Sequence, residues 1–134
     1  SDLPAFLIKE PGLNSGFMMA QIVAASLVSE NKCLTHPASV DSIPTSNGQE
    51  DHVSMGTISA RKTREVINNT EDVLALEFLA ASQGIDFRFP LKPGVGTGRI
   101  YQKIRNRIPP LTKDRLLVLD LVKMKELRRK GFET

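Results

Sequence analysis

Between residues 14 and 32 the chain carries a run that is apolar on almost every side. Asn14 or Ser15 offers a side-chain oxygen suited to a helix start, and the pattern that follows predicts a helix to about Lys32. Phe17, Met18, Met19, Ala20, Ile22, Val23, Ala24, Ala25, Leu27 and Val28 go nearly all the way round it, interrupted only by Gln21 and Ser26. A helix without a polar face belongs at the centre of a large bundle or in an oligomer interface. A chain of 134 residues has little mass with which to surround such a helix. The segment therefore calls for neighbours from outside this chain, and detached from them it is expected to self-associate. The opening Ser-Asp-Leu-Pro, without Met, likewise reads as a piece of something longer.

The remaining pattern is all-α, because no segment sustains period-two alternation. Residues 1–13 hold Pro4, Pro11 and Gly12 and read as an extended approach to the first helix. Residues 33–49, rich in Pro, Ser, Thr and Gly, form a long connection of the kind that tends to carry function. A second helix is expected from about Asp51 to Asn68, with Val53, Ile58, Val66 and Ile67 inside and Arg61, Lys62, Arg64 and Glu65 outside. Asn69-Thr70 then caps a third, from Glu71 to Gln83, and Gly84 ends it. Pro90, Pro93, Gly94 and Gly96 make residues 85–97 a loop, followed by helices over Gly98–Arg107 and Leu116–Arg129. The organisation is one helical segment, 1–134, with central helices over 14–84 and C-terminal helices over 98–134.

Several function classes fall away. A hydrophobic fraction of 40% and a charged fraction of 25% describe a globular chain. The net charge of +3 owes much to Lys123, Lys125, Arg128, Arg129 and Lys130, which read as a solvated helix end, and no aromatic-and-basic module points to nucleic acid. No apolar run is long enough to span a bilayer. With Cys33 alone, neither a disulfide framework nor a cysteine metal site can be built within one chain, so a reducing cytoplasm is expected. Gly94-Val95-Gly96-Thr97-Gly98 lacks the spacing of a phosphate-binding loop. Glu50, Asp51 and His52 point in different directions on a helix and do not converge on a metal ion, so no metal is expected. Nor can a Ser-His-Asp nucleophile be placed.

One polar cluster stands out. Gln49-Glu50-Asp51-His52-Val53-Ser54-Met55-Gly56 follows the long connection and leads into a helical pattern. Such a cluster is either a helix cap or chemistry presented at a helix mouth.

Four ordered stretches carry a resemblance. They are Gly12-Leu13-Asn14-Ser15-Gly16-Phe17-Met18, Ser29-Glu30-Asn31-Lys32, His36-Pro37-Ala38-Ser39-Val40-Asp41-Ser42-Ile43-Pro44-Thr45-Ser46, and the Gln49–Gly56 cluster. Together they resemble the aromatic amino acid ammonia-lyases, and within them the histidine ammonia-lyases, over the C-terminal part of a family member. The match is dense from about residue 2 to 65 and looser through Ala75–Gly84, Tyr101–Arg107 and Asp114–Arg115.

The resemblance implies a fragment of a long-helix bundle that assembles as a homotetramer, with active sites shared between subunits. The implied reaction is non-oxidative deamination of L-histidine to trans-urocanate and ammonia, in histidine degradation. Its implied prosthetic group is a methylidene-imidazolone made from Ala-Ser-Gly, a triad this sequence does not contain. Asn14-Ser15-Gly16 is a look-alike at a helix start. The chain alone is thus expected to be inactive and to need the N-terminal part of the lyase as partner. The resemblance places Glu50 near the substrate imidazole, as catalytic and substrate-binding residue, and Met18 as a second substrate-binding residue. A carboxylate can accept an imidazole N–H and exchange a proton, whereas beside a phenyl ring it would only be desolvated. Met18 is an adaptable apolar wall or, alternatively, simple core packing. Two other readings stay open. Gly56-Thr57-Ile58-Ser59-Ala60-Arg61-Lys62-Thr63 leans towards a tyrosine or phenylalanine ammonia-lyase or aminomutase, and the helices also suit a non-catalytic oligomerisation module.

Overall fold

A computed structural model describes residues 2–132. Four α-helices follow one another: α1 over Met18–Leu34, α2 over Gly56–Phe87, α3 over Val95–Arg105 and α4 over Leu117–Arg129. Short 3-10 turns sit at Ala5–Leu7, Ala38–Val40 and Ser46–Gly48, and no β-strand occurs among the described residues. The fold is all-α, and no helix among these residues is long and apolar enough to cross a membrane.

α1 lies antiparallel on α2. Its first turns, with Phe17, Ala20 and Ala24, meet Val73, Leu76 and Ala80 of α2. Near its last turn Asn31 meets Asn69 and Thr70. α4 crosses the middle of α2, where Lys125 pairs with Asp72, and Arg128 with Glu71 at 2.6 Å. Between these helices and the two irregular segments Ile8, Leu76, Leu79, Ile104, Ile108, Leu111, Met124 and Leu127 form one buried cluster. Gln83 joins the segments: its Nε2 donates to the carbonyls of Leu7 and Leu111, at 3.0 and 2.9 Å, and its Oε1 accepts the Leu111 N–H at 2.9 Å.

Several element boundaries differ from those the sequence predicts. α2 runs unbroken for 32 residues through Asn69-Thr70, so the expected second and third helices are one. The two polar residues find partners without ending the helix. Thr70 Oγ1 donates back to the Val66 carbonyl, and Asn69 Nδ2 donates to Glu30 and Asn31 of α1. The same helix starts at Gly56 rather than Asp51 and passes Gly84 to end at Phe87. α3 begins at Val95, which leaves only 88–94 of the expected loop over 85–97. The approach over 2–13 is not wholly extended, because a 3-10 turn interrupts it. Ile58 and Ile67, expected on an inner face, are 39% and 54% exposed.

The apolar helix at the start of the chain is only partly covered. Within α1 only Ala20 is buried, while Met19, Ile22, Val23 and Val28 face solvent. Val118, Leu119 and Val122 of α4 are exposed as well.

Candidate functional site

Glu50 stands on a braced turn beyond the C-terminal end of α1. Thr45 and Glu50 exchange backbone hydrogen bonds, with Thr45 N–H donating to the Glu50 carbonyl at 2.9 Å and the return bond at 3.3 Å. The tip between them turns through Ser46, Asn47 and Gly48, all at positive φ. At the base, Ser42 Oγ accepts the Val53 N–H at 2.9 Å, and Lys62 Nζ donates to the His36 carbonyl from the side of α2. The Thr45 hydroxyl donates to Glu50 Oε2 at 2.8 Å, which orients a carboxylate that is otherwise exposed. An orienting bond of this kind leaves acceptor capacity for a ligand N–H.

The rest of the cluster does more local work. Ser54 Oγ accepts the Gly56 N–H at the first turn of α2. His52 and Ser54 border a cavity of about 200 Å³ with Ser39 and Asp41. No group of three potential metal ligands gathers anywhere among the described residues.

Met18 is elsewhere. It opens α1, half-buried, and its N–H donates to the Ser15 carbonyl at 3.1 Å. The 17 residues of α1 separate it by about 25 Å from the helix end beyond which the Glu50 turn begins. The cavities beside that turn are lined by His36–Asp41, Ile43 and the first two turns of α2, not by the start of α1. Within one chain, then, Met18 and Glu50 do not share a pocket. A larger cavity, about 720 Å³, opens between the end of α2 and the start of α3 and touches neither residue.

The segment before Met18 holds a feature that local sequence patterns do not announce. The carboxylate of Asp114 accepts the N–H of Ser15 at 2.7 Å and of Gly16 at 2.9 Å. Those two amides hold its pKa below the usual carboxylate value. In return the Asp114 N–H donates to Asn14 Oδ1 at 3.2 Å. The side chains of Asn14 and Ser15 do not cap α1, although their position predicts it; Asp114 instead ties down the amides of Ser15 and Gly16 just ahead of the N-cap, Phe17. Gly16 has φ +54°, and a Cβ on it would lie 2.5 Å from the Phe6 carbonyl oxygen, so only glycine fits there. The look-alike Asn14-Ser15-Gly16 serves here as the landing place of the Asp114 carboxylate, to which its Ser15 and Gly16 amides both donate.

The profile described as aromatic amino acid lyase matches residues 1–106, and the chain belongs to that family. Within it, the chain is similar to the histidine ammonia-lyase of Caldanaerobacter subterraneus subsp. tengcongensis, at 58% identity over 98% of this chain and 26% of that protein. The crystal structure of histidine ammonia-lyase from Trypanosoma cruzi superposes with a TM-score of 0.93 at 50% identity, covering 98% of this chain and 26% of that one. Tyrosine aminomutase from Streptomyces globisporus superposes with a TM-score of 0.85 at 38% identity, over 98% and 27%. The chain therefore spans about a quarter of the length of the relatives it matches.

Proposed function

We propose that this chain supplies the C-terminal part of a histidine ammonia-lyase, which converts L-histidine to trans-urocanate and ammonia. The observation that carries the reading is Glu50, held by Thr45 on a braced turn with its carboxylate turned to solvent. The greater identity to histidine ammonia-lyases than to the tyrosine aminomutase supports the same substrate.

In this reading the Glu50 carboxylate accepts the N–H of the substrate imidazole and can take or return its proton as the amino group leaves. Met18 lines the side-chain pocket with a pliable apolar surface. Because the two stand far apart in one chain, each pocket takes Met18 from one subunit and Glu50 from another, in the homotetramer that the family resemblance implies. A methylidene-imidazolone supplies the electrophile in such lyases. This chain holds no Ala-Ser-Gly triad from which to form it, so it belongs to the N-terminal remainder of the enzyme, and this chain alone is inactive. A single exposed thiol, Cys33, fits a cytoplasmic location.

The test is urocanate formation, followed by its near-ultraviolet absorbance. In the full-length enzyme Glu50→Gln should lower kcat/KM for histidine about 10- to 100-fold, the worth of a charge-assisted hydrogen bond to the substrate ring. Unchanged turnover would remove Glu50 from the site. Loss of assembly with intact substrate affinity would favour a non-catalytic helical module instead. Preferential turnover of tyrosine or phenylalanine would favour the other branch of the family.

A further inference from the structure

We propose that Asp114 is a positioning residue for the substrate pocket, acting through Met18; this rests on the reading that Met18 lines that pocket. α1 begins at Met18 with Phe17 as its N-cap, so Ser15 and Gly16 belong to the segment that leads the chain into the helix. α1 has no side-chain cap of its own, and Asp114 reaches in from 98 to 100 residues further along the chain. Its carboxylate takes the amides of Ser15 and Gly16, while the next amide, Phe17 N–H, is held by the Phe6 carbonyl at 2.9 Å. Three successive amides are thereby fixed from two sides. Met18 follows at once, with its own N–H on the Ser15 carbonyl. The negative charge also suits the amino end of a helix.

The anchor is itself held rigidly. Arg115, next to Asp114, donates to the carbonyls of Pro109 and Pro110 and to the carboxylate of Asp120, at 2.7 to 2.9 Å. Asp120 is buried in α4. The path is therefore continuous: α4 and the 109–115 segment hold Asp114, Asp114 holds Ser15 and Gly16, and these set where Met18 begins the helix. Asp114 is exposed and lies outside the buried cluster, so its removal leaves the core intact.

The experiment is a double-mutant cycle in the full-length assembled enzyme, with kcat and KM for histidine measured on Asp114→Ala, Met18→Ala and the pair. Asp114→Ala should raise KM about tenfold with kcat changed less than about twofold, as expected when a uniformly binding wall is displaced. In the Met18→Ala background it should add almost nothing, because its effect passes through the missing side chain. Independent multiplication of the two effects, or an unchanged KM in Asp114→Ala beside a raised KM in Met18→Ala, would overturn the proposal. An unchanged KM in Met18→Ala would overturn the reading of Met18, and the proposal with it. Should Asp114→Ala fail to assemble, Asp114→Asn keeps one acceptor oxygen and decides the same cycle. A smaller KM rise that vanishes in the Met18→Ala background supports the proposal, and a multiplying one overturns it.

Discussion

Tyr101 shows how single side chains are tuned in this fold. Its hydroxyl donates to Asp86, which also receives Arg105. The hydrogen bond to Asp86, then burial, then the negative charge of Asp86 raise the phenol pKa above its usual 10.0. The folded state thus favours the neutral phenol. Stability from this cause is complete below the unfolded value near 10 and is lost as pH rises through the higher folded value. Tyr101 is the only tyrosine and there is no tryptophan, so tyrosinate absorbance of this chain reports on one group. We expect its midpoint above 10.0, and a midpoint at the ordinary value would mean that the Asp86–Tyr101–Arg105 cluster does not form. Asp114 follows the opposite sign: its lowered pKa adds stability above the usual 3.8 that is lost as pH falls through the folded value. Neither cluster was legible in the sequence as a site, because spacings of 15 and about 100 residues leave no local pattern. Glu50 and Met18 were singled out only by the family resemblance.

At the scale of elements, periodicity found the helices and misjudged where they end. The apolar run that predicts the first helix is realised as Met18–Leu34. Asn69-Thr70 has the composition of a cap, yet the backbone continues because α1 lies alongside to receive Asn69. Gly84, which reads as a terminator, sits inside the last turns of α2, where its Cα faces Leu3. In both places tertiary packing outweighs a local preference of about 1 kcal/mol. Gln83 is the clearest case. It reads as the polar end of a helix, but it is 3% exposed and carries the joint between α2, the N-terminal segment and Leu111. Gln83→Ala would leave the Leu111 amide and two carbonyls unsatisfied, a penalty of about 2 kcal/mol or more. Hydrogen exchange at the Leu111 amide should accelerate by roughly 30-fold, the equivalent of that penalty in local opening. Unchanged protection there would show that the joint is held by the surrounding apolar packing alone.

At the scale of the whole molecule, α1, the helix whose pattern calls for neighbours, keeps much of its apolar surface exposed, and α4 adds an exposed apolar face that the sequence did not single out. The unbroken α2 has a further consequence. Its 32 residues make a rod about 48 Å long, with the 36–43 segment that leads to the Glu50 turn beside its first two turns and the start of α1 against its second half. Under the proposed assembly, a chain defective at Met18 and a chain defective at Glu50 damage different pockets. Two impaired alleles, one Met18→Ala and one Glu50→Gln, should therefore form urocanate faster when expressed together than the sum of the two alone, since mixed tetramers contain pockets that receive both native side chains. Activity no greater than the sum of the separate alleles would mean that one subunit feeds both residues to the same pocket. Genetic complementation would then read out, in a living cell, the length of a single helix.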